Sequence, residues 1–143
     1  MKAFASSTAV LLLATLVTAQ LAVTTVARGD RSGQQIAKQV TVRTPSEWKA
    51  LWKDHAPTES MPAVDFSKSM VVGVFLGTKP SAGHDVAILG VRHESKDLIV
   101  EYVQKQPAPG TMTAQILTEP YHLVSVAKHA GPVRFVHVPE TKK

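Results

Sequence analysis

Met70-Val71-Val72-Gly73-Val74-Phe75-Leu76 is the longest stretch of this chain without a polar side chain. Seven residues are too few for an ordinary helix, and three valines and a phenylalanine favour extended backbone. Turn-forming residues bound it on both sides, Ser67 and Ser69 before and the Gly77 to Gly83 segment (GTKPSAG) after. A strand apolar at every position has no face to give to water, so MVVGVFL reads as a central strand with a packed layer on each side.

Working upstream, Thr44-Pro45-Ser46-Glu47 has the order of a helix start: a capping threonine, proline at the first helical position, and glutamate three residues after the cap. Trp48, Leu51, Trp52 and His55 follow at i, i+3, i+4 and i+7, one face of a helix that ends near Ala56 and Pro57. Two indoles on that face are expected to seal the helix against the sheet. Before it, Ile36, Val40 and Val42 mark a first strand within Gln34 to Arg43.

Downstream, strands are expected at Asp85 to Arg92 and Leu98 to Gln104, joined as a hairpin through Ser95, Lys96 and Asp97. Pro107 to Gly110 (PAPG) is a loop. Ala114 to Leu117 and Tyr121 to Ala127 are strand-like, interrupted by Glu119 and Pro120, and Val133 to Val138 is the last strand. About seven closely spaced strands and one early helix predict a mainly β domain, a small sandwich or partly open barrel.

The N-terminus has a different character. After Met1 and Lys2, Ala9 to Val17 (AVLLLATLV) is apolar and uncharged, and small residues follow, the order of a secretory signal peptide. Residues 1–27 are read as that signal, with cleavage after Ala27 or alternatively after Ala19. Residues 28–33 (RGDRSG) are then a flexible start, and residues 34–139 the β domain. The product is expected in the periplasm or outside the cell, without membrane attachment. The alternative is an inner-membrane anchor, since no charge interrupts the chain between Lys2 and Arg28.

Composition removes several classes of function. With no cysteine, neither a disulfide framework nor a lipid-modified cysteine is available. The net charge of +5 is mild, and its cations are scattered rather than interleaved with aromatics on one segment, so no nucleic-acid partner is expected. The six histidines (His55, His84, His93, His122, His129, His137) form no His-x-His, helical i,i+4 or Glu-x-x-His pair, so no metal or other cofactor is expected from spacing. Ser81, His84 and Asp85 name the triad residue types, but three neighbours in one loop do not converge as a nucleophile, base and orienting acid do. No catalytic residue is assigned.

The succession Glu47-Trp48 to Leu51-Trp52, Val64-Asp65-Phe66-Ser67, Met70-Val71-Val72 to Phe75-Leu76-Gly77, then Lys79 to His84, Pro107 to Gly110, and Thr118-Glu119-Pro120-Tyr121-His122-Leu123-Val124 resembles the C-terminal domain family of the protease complex subunit PrcB. The resemblance extends from Val40 to Phe135. It implies a small, non-catalytic β domain of exported bacterial proteins whose partner is another protein, with an envelope protease as the example. The family's central loop reads close to Arg-Pro-Thr-Gly-Gly-Tyr. Here Lys79, Ser81, Ala82 and His84 replace four of those six residues, and Pro80 and Gly83 are kept. The same loop is faintly similar to a binding loop of chagasin-type protease inhibitors, which makes a secreted inhibitor-like domain one alternative; a metal-dependent hydrolase using strand-borne histidines and acids is another. Binding residues concentrate on loops held by rigid scaffolds. The candidate partner-binding residues are therefore Lys79, Pro80, Ser81, Gly83 and His84, with the 107–112 loop second.

Overall fold

A computed structural model describes residues 21–140. The apolar run Ala9 to Val17 and the cleavage position after Ala19 lie outside the described residues. The elements in chain order are β1 (Thr24–Gly29), β2 (Lys38–Val42), α1 (Pro45–His55), β3 (Ser69–Phe75), β4 (Asp85–Glu94), β5 (Asp97–Lys105), β6 (Tyr121–Ala127) and β7 (Val133–His137). They build a four-stranded sheet, β1-β6-β3-β2, and a three-stranded sheet, β4-β5-β7, that does not close into a barrel.

The central-strand reading of MVVGVFL holds. β3 lies between β6 and β2, antiparallel to both, and its alternate side chains enter two cores. Met70, Val72, Val74 and Leu76 meet Val86, Ile88, Leu98, Val100 and Tyr102 of the second sheet. Val71 and Phe75 face the other way, toward Trp48, Leu51 and Trp52 of α1. The molecule thus has three layers, helix, four-stranded sheet and three-stranded sheet, with β3 in the middle one. Both indoles are buried, and each indole N–H donates to a carbonyl, Trp48 to Pro62 and Trp52 to Glu59, both at 2.9 Å.

The cap of α1 follows its sequence signature: Thr44 Oγ1 accepts from the Glu47 N–H at 3.2 Å. The Glu47 carboxylate reaches back one residue further than a capping box would, accepting from the Arg43 N–H at 3.2 Å. A helix of eleven residues is marginal by itself. Burial of its tryptophan face is what holds it.

Two expectations need correcting. Residues 28–33, read as a flexible start, are tied to the fold. Thr24–Gly29 forms an edge strand paired with β6, the Glu119 N–H donates to the Asp30 carbonyl at 2.8 Å, and the Gly33 N–H to the His55 carbonyl at 2.7 Å. Conversely, Ala114 to Leu117 is not a strand. Its backbone meets the loop after β3, where Ala82 N–H donates to the Ala114 carbonyl, and the next residue, Thr118, pairs with Lys79 as an isolated bridge. Among the described residues there are seven strands, the number expected, but the set differs by this exchange. Among the described residues no helix is long and apolar enough to cross a membrane.

Candidate functional site

The two sheets meet differently along their two sides. On the β1–β4 side they are stitched together. Leu21 N–H donates to the Val91 carbonyl at 2.9 Å, and the Arg28 guanidinium contacts the Asp85 carboxylate at 2.8 Å. Between these lies His122 on β6, only 4% exposed. Its Nδ1 accepts from the Ile88 backbone N–H at 2.8 Å, which leaves the proton on Nε2, donated to Thr25 Oγ1 at 2.9 Å. The ring is therefore neutral. Burial, aided by the Arg28 charge and opposed by Asp85, lowers its pKa to about 4.

On the opposite side the sheets part into a mouth. Its first compartment, about 380 Å³, is bordered by Lys38 and Gln39 of β2, Val74 and Phe75 of β3, Leu76, Lys79, and Tyr102 and Gln104 on β5. A second compartment of about 120 Å³ shares Leu76, Lys79 and Gln104 with it and adds His84, Lys105, Gln106 and His137. The larger volume falls within the range of small-ligand clefts. Gln39 Nε2 donates to the Tyr102 hydroxyl at 3.1 Å, and the His137 ring stacks on Tyr102 with centroids 5.3 Å apart. At the far end Arg43 clasps the β6–β7 turn, donating to the His129 and Gly131 carbonyls at 3.3 and 2.7 Å.

No lining residue of either compartment is acidic. Among the described residues, none of Lys38, Lys79 and Lys105 has a carboxylate within salt-bridge distance, and the nearby Asp85 is engaged by Arg28. The mouth is thus electropositive with an apolar floor of Val74, Leu76 and Tyr102.

The loop singled out in the sequence forms one rim of this mouth. Gly77 opens it with a φ of 73°, in a turn where a Cβ would lie 2.7 Å from the Ala37 nitrogen. Gly83 closes it at a φ of 90°, against Pro107 of the neighbouring loop. Lys79 and His84 face the mouth and Pro80 and Gly83 are exposed, but Ser81 is turned inward, 8% exposed, with its hydroxyl on the Ala82 carbonyl. Ser81 is therefore a staple of the loop, reinforced by Thr118 Oγ1 donating to its carbonyl at 2.9 Å, and not a surface contact. Gln39, Tyr102 and Lys105 were not singled out from the sequence, and His137 was weighed only among the six histidines as a metal ligand. They come from three strands, and only the alternation along β5 that puts Tyr102 toward the other sheet hinted at any of them.

The other histidines are placed apart. His55 is buried against Phe75 and Tyr121, with centroids at 5.5 and 4.2 Å, and bonds Ser32 through Nδ1 at 2.7 Å; burial lowers its pKa, opposed by Glu59. His93 and His129 neighbour each other on the far surface at 5.2 Å. Among the described residues no three histidine or carboxylate side chains converge as a metal site would require.

Compared with known proteins, residues 70–127 match the family model described as PrcB C-terminal. The matched segment runs from β3 through β6 and covers somewhat less than half of the chain, so it includes Lys79, His84 and Lys105 but not Lys38 or His137. No curated protein and no solved structure matches the chain.

Proposed function

We propose, from the match of residues 70–127 to the PrcB C-terminal family model, that this chain is an exported, non-catalytic module that binds another protein, an envelope protease or a component of a protease complex. One observation carries the binding reading. Around the mouth, three irregular segments converge: residues 35–37, the 77–84 loop and the 106–118 loop, joined by Thr78 N–H to the Gln35 carbonyl and by the Lys79–Thr118 bridge. They hold out large apolar side chains, Ile36 at 80%, Met112 at 98% and Leu117 at 69% exposure. Large apolar groups grouped at one end, with a polar mouth beside them, have the composition of a protein-contact surface.

Export is part of this proposal, and β1 supports the earlier of the two cuts. A cut after Ala27 would divide β1 and remove Leu21, Val23 and Val26, which pack on the two cores, whereas a cut after Ala19 leaves the strand whole. The mature chain of this proposal begins at Gln20.

The test is affinity capture from native envelope fractions with the processed chain, followed by measurement of the captured protease's lifetime with and without it. A protease that co-purifies and is lost when Ile36 and Leu117 are changed to Asp supports the reading. Capture unaffected by those changes, or no protease captured, overturns it.

A further inference from the structure

We propose that the mouth takes an extended acidic segment of the partner protein, which adds to the free edge of β2 and sets its carboxylates against Lys79 and Lys105. The inference rests on the binding-module reading and names the chemistry of what is bound. β2 pairs with β3 only, and apart from that ladder the backbone of residues 38–42 makes no hydrogen bond among the described residues. An unpaired edge is a template for one more strand, and such pairing supplies affinity through main-chain bonds while side-chain pockets supply selectivity.

The pockets here have one sign. Among the described residues Lys79 and Lys105 have no carboxylate partner and no acid lines the space, and His84 and His137 stand beside them. A cationic cleft with low-dielectric walls attracts and orients an acidic segment and repels a basic one. In a strand added to β2 successive side chains face opposite ways, so a segment alternating acid and aliphatic residues turns its acids into the mouth and its aliphatic side chains toward the α1 side, beside Val40 and Val42. A small anion would satisfy the lysines but would leave the strand edge unused.

The probes are three fluorescent heptapeptides titrated against the processed chain: alternating Glu and Val, alternating Lys and Val, and the Glu–Val peptide with alternate backbone nitrogens methylated. The Glu–Val peptide is expected to bind at least about tenfold more tightly than the Lys–Val peptide, and more weakly as salt rises. Methylation along the pairing edge should weaken it about tenfold. Lys79→Ala with Lys105→Ala should weaken it by at least about tenfold, while Lys49→Ala with Lys53→Ala on the exposed face of α1 should leave it unchanged. Equal affinity for the Glu and Lys peptides, or indifference to the Lys79/Lys105 pair, overturns the proposal, and indifference to methylation overturns strand addition. Dimerisation of the chain that the Lys79/Lys105 changes abolish, without peptide binding, would assign the mouth to a second copy instead. If the peptides fail while a protease still co-purifies through Ile36 and Leu117, the mouth proposal alone falls; if both fail, the binding module falls with it.

Discussion

The two sides of the sandwich use similar residues to opposite ends. Each has a histidine near the edge of the inter-sheet core and cations around it. On the β1–β4 side His122 is buried and bonded through both ring nitrogens, and Arg28 has Asp85. On the mouth side His137 is exposed, and among the described residues Lys79 and Lys105 have no acid within reach. Polar groups whose partners lie in the same chain hold sheets together, because leaving them buried without those partners would cost 1–3 kcal/mol each. Polar groups without internal partners add little to stability and remain available to something else. The first side is built for the fold; the second is not needed by it.

The largest test of that contrast removes the closing strand. A chain beginning at Arg28 lacks Leu21, Val23 and Val26 and the Thr25 partner of His122. Three partly buried aliphatic side chains are worth about 1 kcal/mol each, so urea unfolding should show a loss of about 3 kcal/mol or more relative to a chain beginning at Gln20. Intact mass of the exported protein should correspondingly give Gln20 as its first residue. Equal stability of the two chains would show that β1 does not close the sandwich.

Somewhat smaller is the effect of acid. The folded pKa of His122 is lowered from 6.5 to about 4, so between those values the unfolded chain binds the proton and the native one does not. The stability associated with the neutral ring is complete above about pH 6.5 and is lost as pH falls toward 4. A shift of this size amounts to at most about 3 kcal/mol. His55, lowered by burial, acts in the same direction. Urea midpoints at pH 7 and pH 4.5 measure the loss, and His122→Gln should remove most of the difference. A pH dependence that survives this change would place the sensitivity elsewhere than in the seam.

On the mouth side the expected effect is close to zero. Lys79→Ala with Lys105→Ala removes two charges with no internal partner, and stability should change by no more than about 0.5 kcal/mol. A loss above 1 kcal/mol would mean that the lysines serve the fold, and the difference between the two sides would disappear.

Much of the architecture was legible residue by residue. MVVGVFL declared a strand covered on both faces because it has no polar position to expose, and Thr44-Pro45-Ser46-Glu47 declared a helix start because cap, proline and glutamate act within one turn. β1 was not legible. Thr24 to Ala27 continues an uncharged, aliphatic and threonine-rich stretch, a composition that suits the tail of a signal as well as a strand. Ala114 to Leu117 erred in the other direction: its backbone crosses the 77–84 loop, where Ala82 N–H donates to the Ala114 carbonyl, and it reaches no sheet edge. Of the candidate site, the 77–84 loop was found from its glycines and proline, yet nothing local distinguishes the inward Ser81 from the mouth-facing Lys79.

Sequence alone determined the elements whose causes lie within a few residues: the cap, the apolar face of α1, the alternation or continuity of each strand, and the scarcity of motifs for catalysis. Only the tertiary structure decided which sheet edges meet and which stay open. Thr25 and His122 are 97 residues apart, and β5 and β7 pair in parallel although β6 intervenes in the other sheet. Such pairings depend on how distant apolar faces pack once chain entropy has been overcome, and a local pattern carries the propensity to form a strand but not the identity of its neighbour.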